Sequence, residues 1–211
     1  MISHKHKAIF IHIPKTAGVT LANATTTSIK FEDSTFGWWD SRKKLWKQHC
    51  SIWQLKEIYK IPIDDYYKFT VVRNPWDRAV SGYTWWTTSK NPIFRNVKSK
   101  SLKDYLLVQN GFEKFNHLNN KATGRGDHFN TQYSFVEING DCQMDYIIKF
   151  ENLQEDFNIV CDKIGIPQQK LPHKNKTKHK HYTEYYDEET KSIVAEKYAK
   201  DIEMFGYEFG E

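Results

Sequence analysis

Cysteine is scarce: Cys50, Cys142 and Cys161 are the only three in 211 residues, and no two of them form a CxxC pair. An odd, scattered set excludes a disulfide framework and leaves too few clustered thiols for a cysteine-based zinc site. With 10 glycines and 6 prolines, neither a collagen-like repeat nor a low-complexity chain fits. No apolar run approaches the roughly 18 residues that a membrane-spanning helix needs. Residues 1–7, Met-Ile-Ser-His-Lys-His-Lys, lead into a strand-like segment without the apolar stretch of a signal peptide. The expectation is a soluble, cytoplasmic protein with no membrane insertion.

Aromatic residues are abundant. Seven Trp, 12 Tyr and 13 Phe supply large buriable side chains, which argues against disorder although only 39% of the residues are apolar. The chain is long enough to bury a core without disulfides or metal. It shows no internal repeat and no linker-like segment, so one domain spanning residues 1–211 is expected. Charge is unevenly spread within the net +5. Residues 183–211 hold nine acids against three lysines, which leaves the first 182 residues at +11. That excess points to an anionic ligand or partner for the main body.

Three segments read as strand, turn and helix. Residues 7–13, Lys-Ala-Ile-Phe-Ile-His-Ile, are nearly all apolar, as a buried parallel strand requires. They stop at Pro14, and a helix is expected over 18–29. Residues 67–72 form the second strand, followed by Arg73-Asn74-Pro75, where Pro75 suits the first turn of a helix running to about Trp86. Residues 145–150 form the third, and Leu153, Phe157, Val160 and Ile164 mark the buried stripe of the helix after it. Gly165 and Pro167 are its stop signals. A last helix begins near Asp187-Glu188-Glu189, with Ile193, Val194, Tyr198, Ile202 and Phe205 on one face. Recurrent strand–turn–helix order predicts an α/β fold with a parallel sheet. The stretch 87–140 is polar and aromatic and gives little periodic signal. Residues 1–7, with His4 and His6, read as a frayed terminus.

In such sheets ligands bind beyond the carboxyl ends of the strands. The first strand ends in His12-Ile13-Pro14-Lys15-Thr16-Ala17-Gly18-Val19-Thr20. Small residues allow close backbone approach, the helix opening supplies amide donors, Lys15 a charge, and Thr16 and Thr20 hydroxyls; this is an anion cradle in outline. It is not a Walker A loop, because Lys15 precedes its only glycine. The second strand ends at Arg73, whose guanidinium can reach the same crevice. Ser81 follows about two helical turns later with a hydroxyl for the same anion. The plain alternatives are an ordinary turn with an exposed lysine and an Arg73–Asp77 ion pair.

Together, Pro14-Lys15-Thr16-Ala17-Gly18 and Val71-Val72-Arg73-Asn74-Pro75-Trp76-Asp77-Arg78 with Ser81 resemble the carbohydrate-type sulfotransferases that use 3′-phosphoadenosine-5′-phosphosulfate (PAPS). The segments 182–187 and 198–207 resemble that family's closing portion. The resemblance implies a P-loop-like parallel sheet with helices on both faces. It also implies a 5′-phosphosulfate loop of Lys15, Thr16, Ala17, Gly18, Val19 and Thr20, and a 3′-phosphate site of Arg73 and Ser81. Val19 departs from the family, which often has a hydroxyl there; backbone amides can still hold the phosphate.

By the same resemblance, the reaction is in-line transfer of a sulfuryl group from PAPS to an acceptor hydroxyl, expected to belong to a carbohydrate. Lys15 is the cation that stabilises the leaving group. His49, 24 positions before Arg73, matches the family's general base, with His12 as the competing candidate. Residues 170–181 hold five lysines and three histidines without an acid, and the family uses this region to close on the nucleotide, which makes Lys176 and Thr177 candidate PAPS contacts. No metal and no nucleic-acid partner are expected. Basic residues interleaved with Trp85, Trp86 and Phe94 sit in no nucleic-acid module. The competing functions are a nucleotide-dependent phosphotransferase, which would need Mg²⁺ and ATP, and a non-catalytic binder of nucleotides or polyanions.

Overall fold

The computed structural model describes residues 1–25, 39–40, 45–88, 101–111, 126–171 and 180–211. It divides into two compact units, Met1–Arg73 with Gln132–Lys176, and Asn74–Thr131 with Thr177–Glu211.

The first unit is built on a four-stranded sheet. Strands β1 (Ile2–Ser3), β2 (Ala8–Ile11), β5 (Tyr67–Val72) and β8 (Tyr146–Lys149) lie side by side in that order. The pairs β2/β5 and β5/β8 are parallel, with Ala8 opposite Tyr67 and Phe69 opposite Tyr146. Both faces of β2 are buried, which is why its sequence is continuously apolar rather than alternating. One face carries Ala8, Phe10, Phe69, Val71 and Ile148. Helices α1 (Gly18–Thr25) and α6 (Leu153–Ile164) cover it with Leu21, Ala22, Ala24, Phe157, Val160, Cys161 and Ile164. Phe10 and Phe69 stack at 5.1 Å inside this core.

Helix α6 ends as its sequence predicts. Gly165 takes a left-handed φ of 70°, and Ile166 N–H donates to the Cys161 carbonyl at 2.9 Å, closing the open carbonyls of the last turn. The same unit holds the antiparallel pair β3 (Trp39–Asp40) and β4 (Leu45–Trp46), helix α2 (Ile52–Glu57), the one-turn helix α5 (Tyr133–Val136) and the antiparallel pair β6 (Glu137–Ile138) and β7 (Asp141–Cys142).

The amino terminus is not frayed. Strand β1 pairs antiparallel with β2, Ile2 opposite Ile9, and the Met1 nitrogen donates to the Phe10 carbonyl at 2.8 Å. Burial of Met1 and Ile2 outweighs the polar residues that follow, and His4 Nδ1 lies 2.6 Å from the Tyr66 hydroxyl. Lys7 turns the chain between the two strands with a φ of 49°.

The second unit is helical: α3 (Pro75–Thr88), α4 (Leu102–Gly111), α7 (Glu188–Lys197) and α8 (Ala199–Phe205). Pro75 opens α3, and the Asn74 side chain caps it by accepting from Trp76 N–H at 3.1 Å. The core is aromatic, with Trp76, Trp86, Tyr105, Phe129, Tyr182 and Tyr198 around Val80, Leu106 and Val194. The weakly periodic stretch 87–140 thus includes α4 and Phe129, which complete this core. Arg78 is buried here and donates to the Asn130 carbonyl at 2.9 Å, a structural task. The single closing helix expected from the sequence is two, because Tyr198 breaks the run at φ −108° and ψ 23°. Among the described residues no helix is long and apolar enough to cross a membrane.

Candidate active site

The segment between β2 and α1 is bent at two non-glycine residues. Lys15 has a φ of 69° and Ala17 a φ of 67°, left-handed positions that cost about 1–3 kcal/mol each and persist only where the surroundings impose them. Such bends are what curve main-chain amides into anion-binding concavities. Two hydrogen bonds impose them here. Thr16 Oγ1 donates to the Ile13 carbonyl at 2.9 Å, and Arg73 Nη1 donates to the Lys15 carbonyl at 3.3 Å. The α1 ladder then starts at once, with Thr20 N–H donating to the Ala17 carbonyl at 2.8 Å.

The side chains of this loop divide in function. Thr16 is fully buried and its hydroxyl is spent on the turn. Thr20 is buried as well, while Val19 stands exposed at the start of α1. Gly18 is required for a reason that the sequence does not reveal: a Cβ there would overlap the ring of His12. The close approach that this glycine permits is made by the protein's own imidazole.

Lys15 and Arg73 bring two cations together. Arg73 directly follows β5, and its guanidinium lies over the Phe150 ring at 4.1 Å while it holds the Lys15 carbonyl. Burial, and after it the Arg73 charge, hold the Lys15 ammonium down to about 8 from its ordinary 10.5. A site that gathers positive charge against these penalties is one that an anion stabilises. Gln132 completes it. Its fully buried amide accepts from Arg73 N–H at 2.9 Å and donates to the Arg73 carbonyl at 2.8 Å, replacing a strand neighbour at the end of β5. Neither Gln132 nor Phe150 carries a local sequence signal for this task.

His49 closes a 3₁₀ turn, Lys47–His49, just before α2, whose cap is a reciprocal box between Ser51 and Gln54. Its Nδ1 lies 2.8 Å from the His12 carbonyl. A carbonyl only accepts, so Nδ1 carries the proton and Nε2 of the neutral ring keeps the lone pair. The His12 ring is edge-on to His49 at 4.6 Å and stacks on Phe10 at 5.8 Å. Burial first, then His49 and the amino-terminal nitrogen, keep His12 well below the usual histidine range and therefore neutral at pH 7.

The first unit thus gathers Lys15, Thr16, Ala17, Gly18, Val19, Thr20, Arg73, His12 and His49 around the ends of β2 and β5. Ser81 lies in the second unit, half-buried on α3. Lys176 and Thr177 lie outside the described residues, as do His117, His173 and His179. An anion cradle with a half-buried and a buried cation, beside a histidine with a defined basic nitrogen, suits transfer of an anionic group to a hydroxyl. The chain gives no significant sequence match to a curated protein. The family model described as "Sulfotransferase family" matches residues 1–208, through both units. The chain belongs to the sulfotransferase family and is an enzyme that transfers sulfate.

Proposed function

We propose that the protein is a PAPS-dependent sulfotransferase, acting as a single domain over residues 1–211, with a carbohydrate hydroxyl as acceptor and His49 as general base. The observation that carries the reading is the Lys15–Arg73 pair, two cations held together at adjacent strand ends by a hydrogen bond from one to the main chain of the other. The donor set fits a nucleotide with phosphates at two positions, since it offers a bent amide loop and two separate cationic side chains. PAPS, when bound, supplies the sulfuryl group on an anionic leaving group.

The chain's residues then have distinct tasks. The loop 15–20 grips the 5′ side with backbone amides, and Lys15 neutralises charge that develops on the leaving oxygen. Arg73 holds the 3′-phosphate; Ser81, Lys176 and Thr177 are proposed nucleotide contacts by the family resemblance alone. His49 takes the acceptor proton at Nε2, the nitrogen that its bond to His12 leaves basic. The excess of positive charge over residues 1–182 suits an anionic polysaccharide.

The test is transfer from radiolabelled PAPS to a panel of neutral and anionic polysaccharides, in wild type and His49→Ala. Label should appear in a polysaccharide, and the variant should lose about 10²–10⁴-fold in rate while it still binds the desulfated product nucleotide. Transfer that requires ATP–Mg²⁺, or full turnover by His49→Ala, would overturn the donor or the base respectively.

A further inference from the structure

We propose that His12 is a positioning residue for the reaction, holding the His49 ring in its productive tautomer and orientation through its main-chain carbonyl and the bulk of its buried ring. The inference rests on the reading of His49 as base and extends it to a residue that the family match does not address.

Four observations converge on His12. Its carbonyl is the acceptor that forces the proton onto His49 Nδ1. The residue is only 3% exposed and so its ring has no direct access to an acceptor in solvent, which argues against its being the base itself. That ring is fixed on three sides, by Phe10 on its face, by the Gly18 backbone where a Cβ would collide, and by His49 at 4.6 Å. Lastly, it stands three residues before Lys15, so one buried side chain links the base to the anion loop.

The ring and the carbonyl make separate contributions. The carbonyl sets which nitrogen is protonated; the ring limits rotation of His49 about that hydrogen bond. A single hydrogen bond lets an imidazole swing, whereas a second contact against a rigid ring defines its plane. The charge state is consistent with this passive role. A cationic His12 would oppose formation of the His49 imidazolium during proton transfer, and burial keeps His12 neutral. The loop does not depend on the ring, because Thr16 and Arg73 hold it by their own hydrogen bonds to Ile13 and Lys15.

The experiment compares wild type, His12→Ala, His12→Phe and His49→Ala. It reads kcat, product-nucleotide affinity by calorimetry, and the His49 tautomer from ¹⁵N imidazole shifts. His12→Ala should lower kcat by about tenfold or more. Its nucleotide affinity should stay within about threefold, and the Nδ1–H signature of His49 should persist, because the His12 carbonyl remains. His12→Phe, which restores a planar ring on Phe10, should recover most of the rate. Unchanged kcat in His12→Ala would overturn the proposal. So would a His12→Phe as inactive as His12→Ala with nucleotide binding intact, since that outcome makes the His12 nitrogens participants. If both variants fail to fold, the wild-type spectrum decides, and an Nε2–H signature for His49 overturns the proposal. Turnover by His49→Ala would refute the base assignment alone, because the tautomer readout reports positioning independently.

Discussion

Lys15 offers the sharpest quantitative expectation. Its ammonium titrates near 8 because it is buried and because Arg73 is beside it. A phosphate-bearing ligand supplies the missing counter-charge and raises that value, so binding takes up a proton wherever free Lys15 is deprotonated. The sign follows: affinity is full below pH 8 and falls as pH rises through the free-state value. With the value in the complex well above 9, the dissociation constant should be about tenfold weaker at pH 9 than at pH 7, and about half a proton should enter per nucleotide at pH 8. Calorimetric titration of 3′-phosphoadenosine-5′-phosphate in two buffers of different ionisation enthalpy measures both quantities. Lys15→Met should bind more weakly at pH 7 and lose the dependence. An affinity that is flat from pH 7 to pH 9, with no proton uptake, would refute the argument that Lys15 is desolvated beside Arg73.

Three further outcomes follow from the packing. Gly18→Ala should destabilise the protein by about 1–3 kcal/mol in urea denaturation, because the new methyl overlaps the His12 ring; adding His12→Ala should return part of the loss. Gln132→Leu leaves the Arg73 N–H and carbonyl without that partner, at about 1–3 kcal/mol for each group, and should also weaken nucleotide binding; a change under about 0.5 kcal/mol would refute its bracing role. Phe157→Ala, at a fully buried position between α6 and the sheet, should cost about 3–5 kcal/mol with nucleotide selectivity unchanged in the folded fraction.

The parts of the fold that were legible in the sequence are those with local causes. The β2 run is an uninterrupted apolar stretch ended by Pro14, the β5 run is rich in aromatic and β-branched residues and stops before Asn74-Pro75, and Gly165 stops α6 because only its left-handed backbone closes that end cheaply. What was not legible depends on partners distant in sequence. Gln132 acts on Arg73 across 59 residues, and nothing around Gln132 announces an amide aimed at a strand end. The β1 strand is two residues long and is followed by histidines and lysines, so its pairing with β2 has no periodic signature. The Pro14–Thr20 loop shows both cases. Lys15 and its strand-end position are evident in the residues, whereas the structure assigns Gly18 to the His12 ring and the Thr16 hydroxyl to the turn. His49 could be singled out by resemblance, but the protonated nitrogen is defined only by the carbonyl that meets it.

The central claim is that the Lys15–Arg73 site takes a nucleotide phosphorylated at its 3′ position. Thermal melts of wild type and Arg73→Ala with 3′-phosphoadenosine-5′-phosphate, ADP and ATP–Mg²⁺ test it most directly. At 100 times its dissociation constant a ligand adds about 2.7 kcal/mol, a shift of about 5–10 °C for a chain of this size. That shift is expected for the 3′-phosphorylated nucleotide alone, with its loss in Arg73→Ala; no shift, or a larger one with ATP–Mg²⁺, would overturn the assignment.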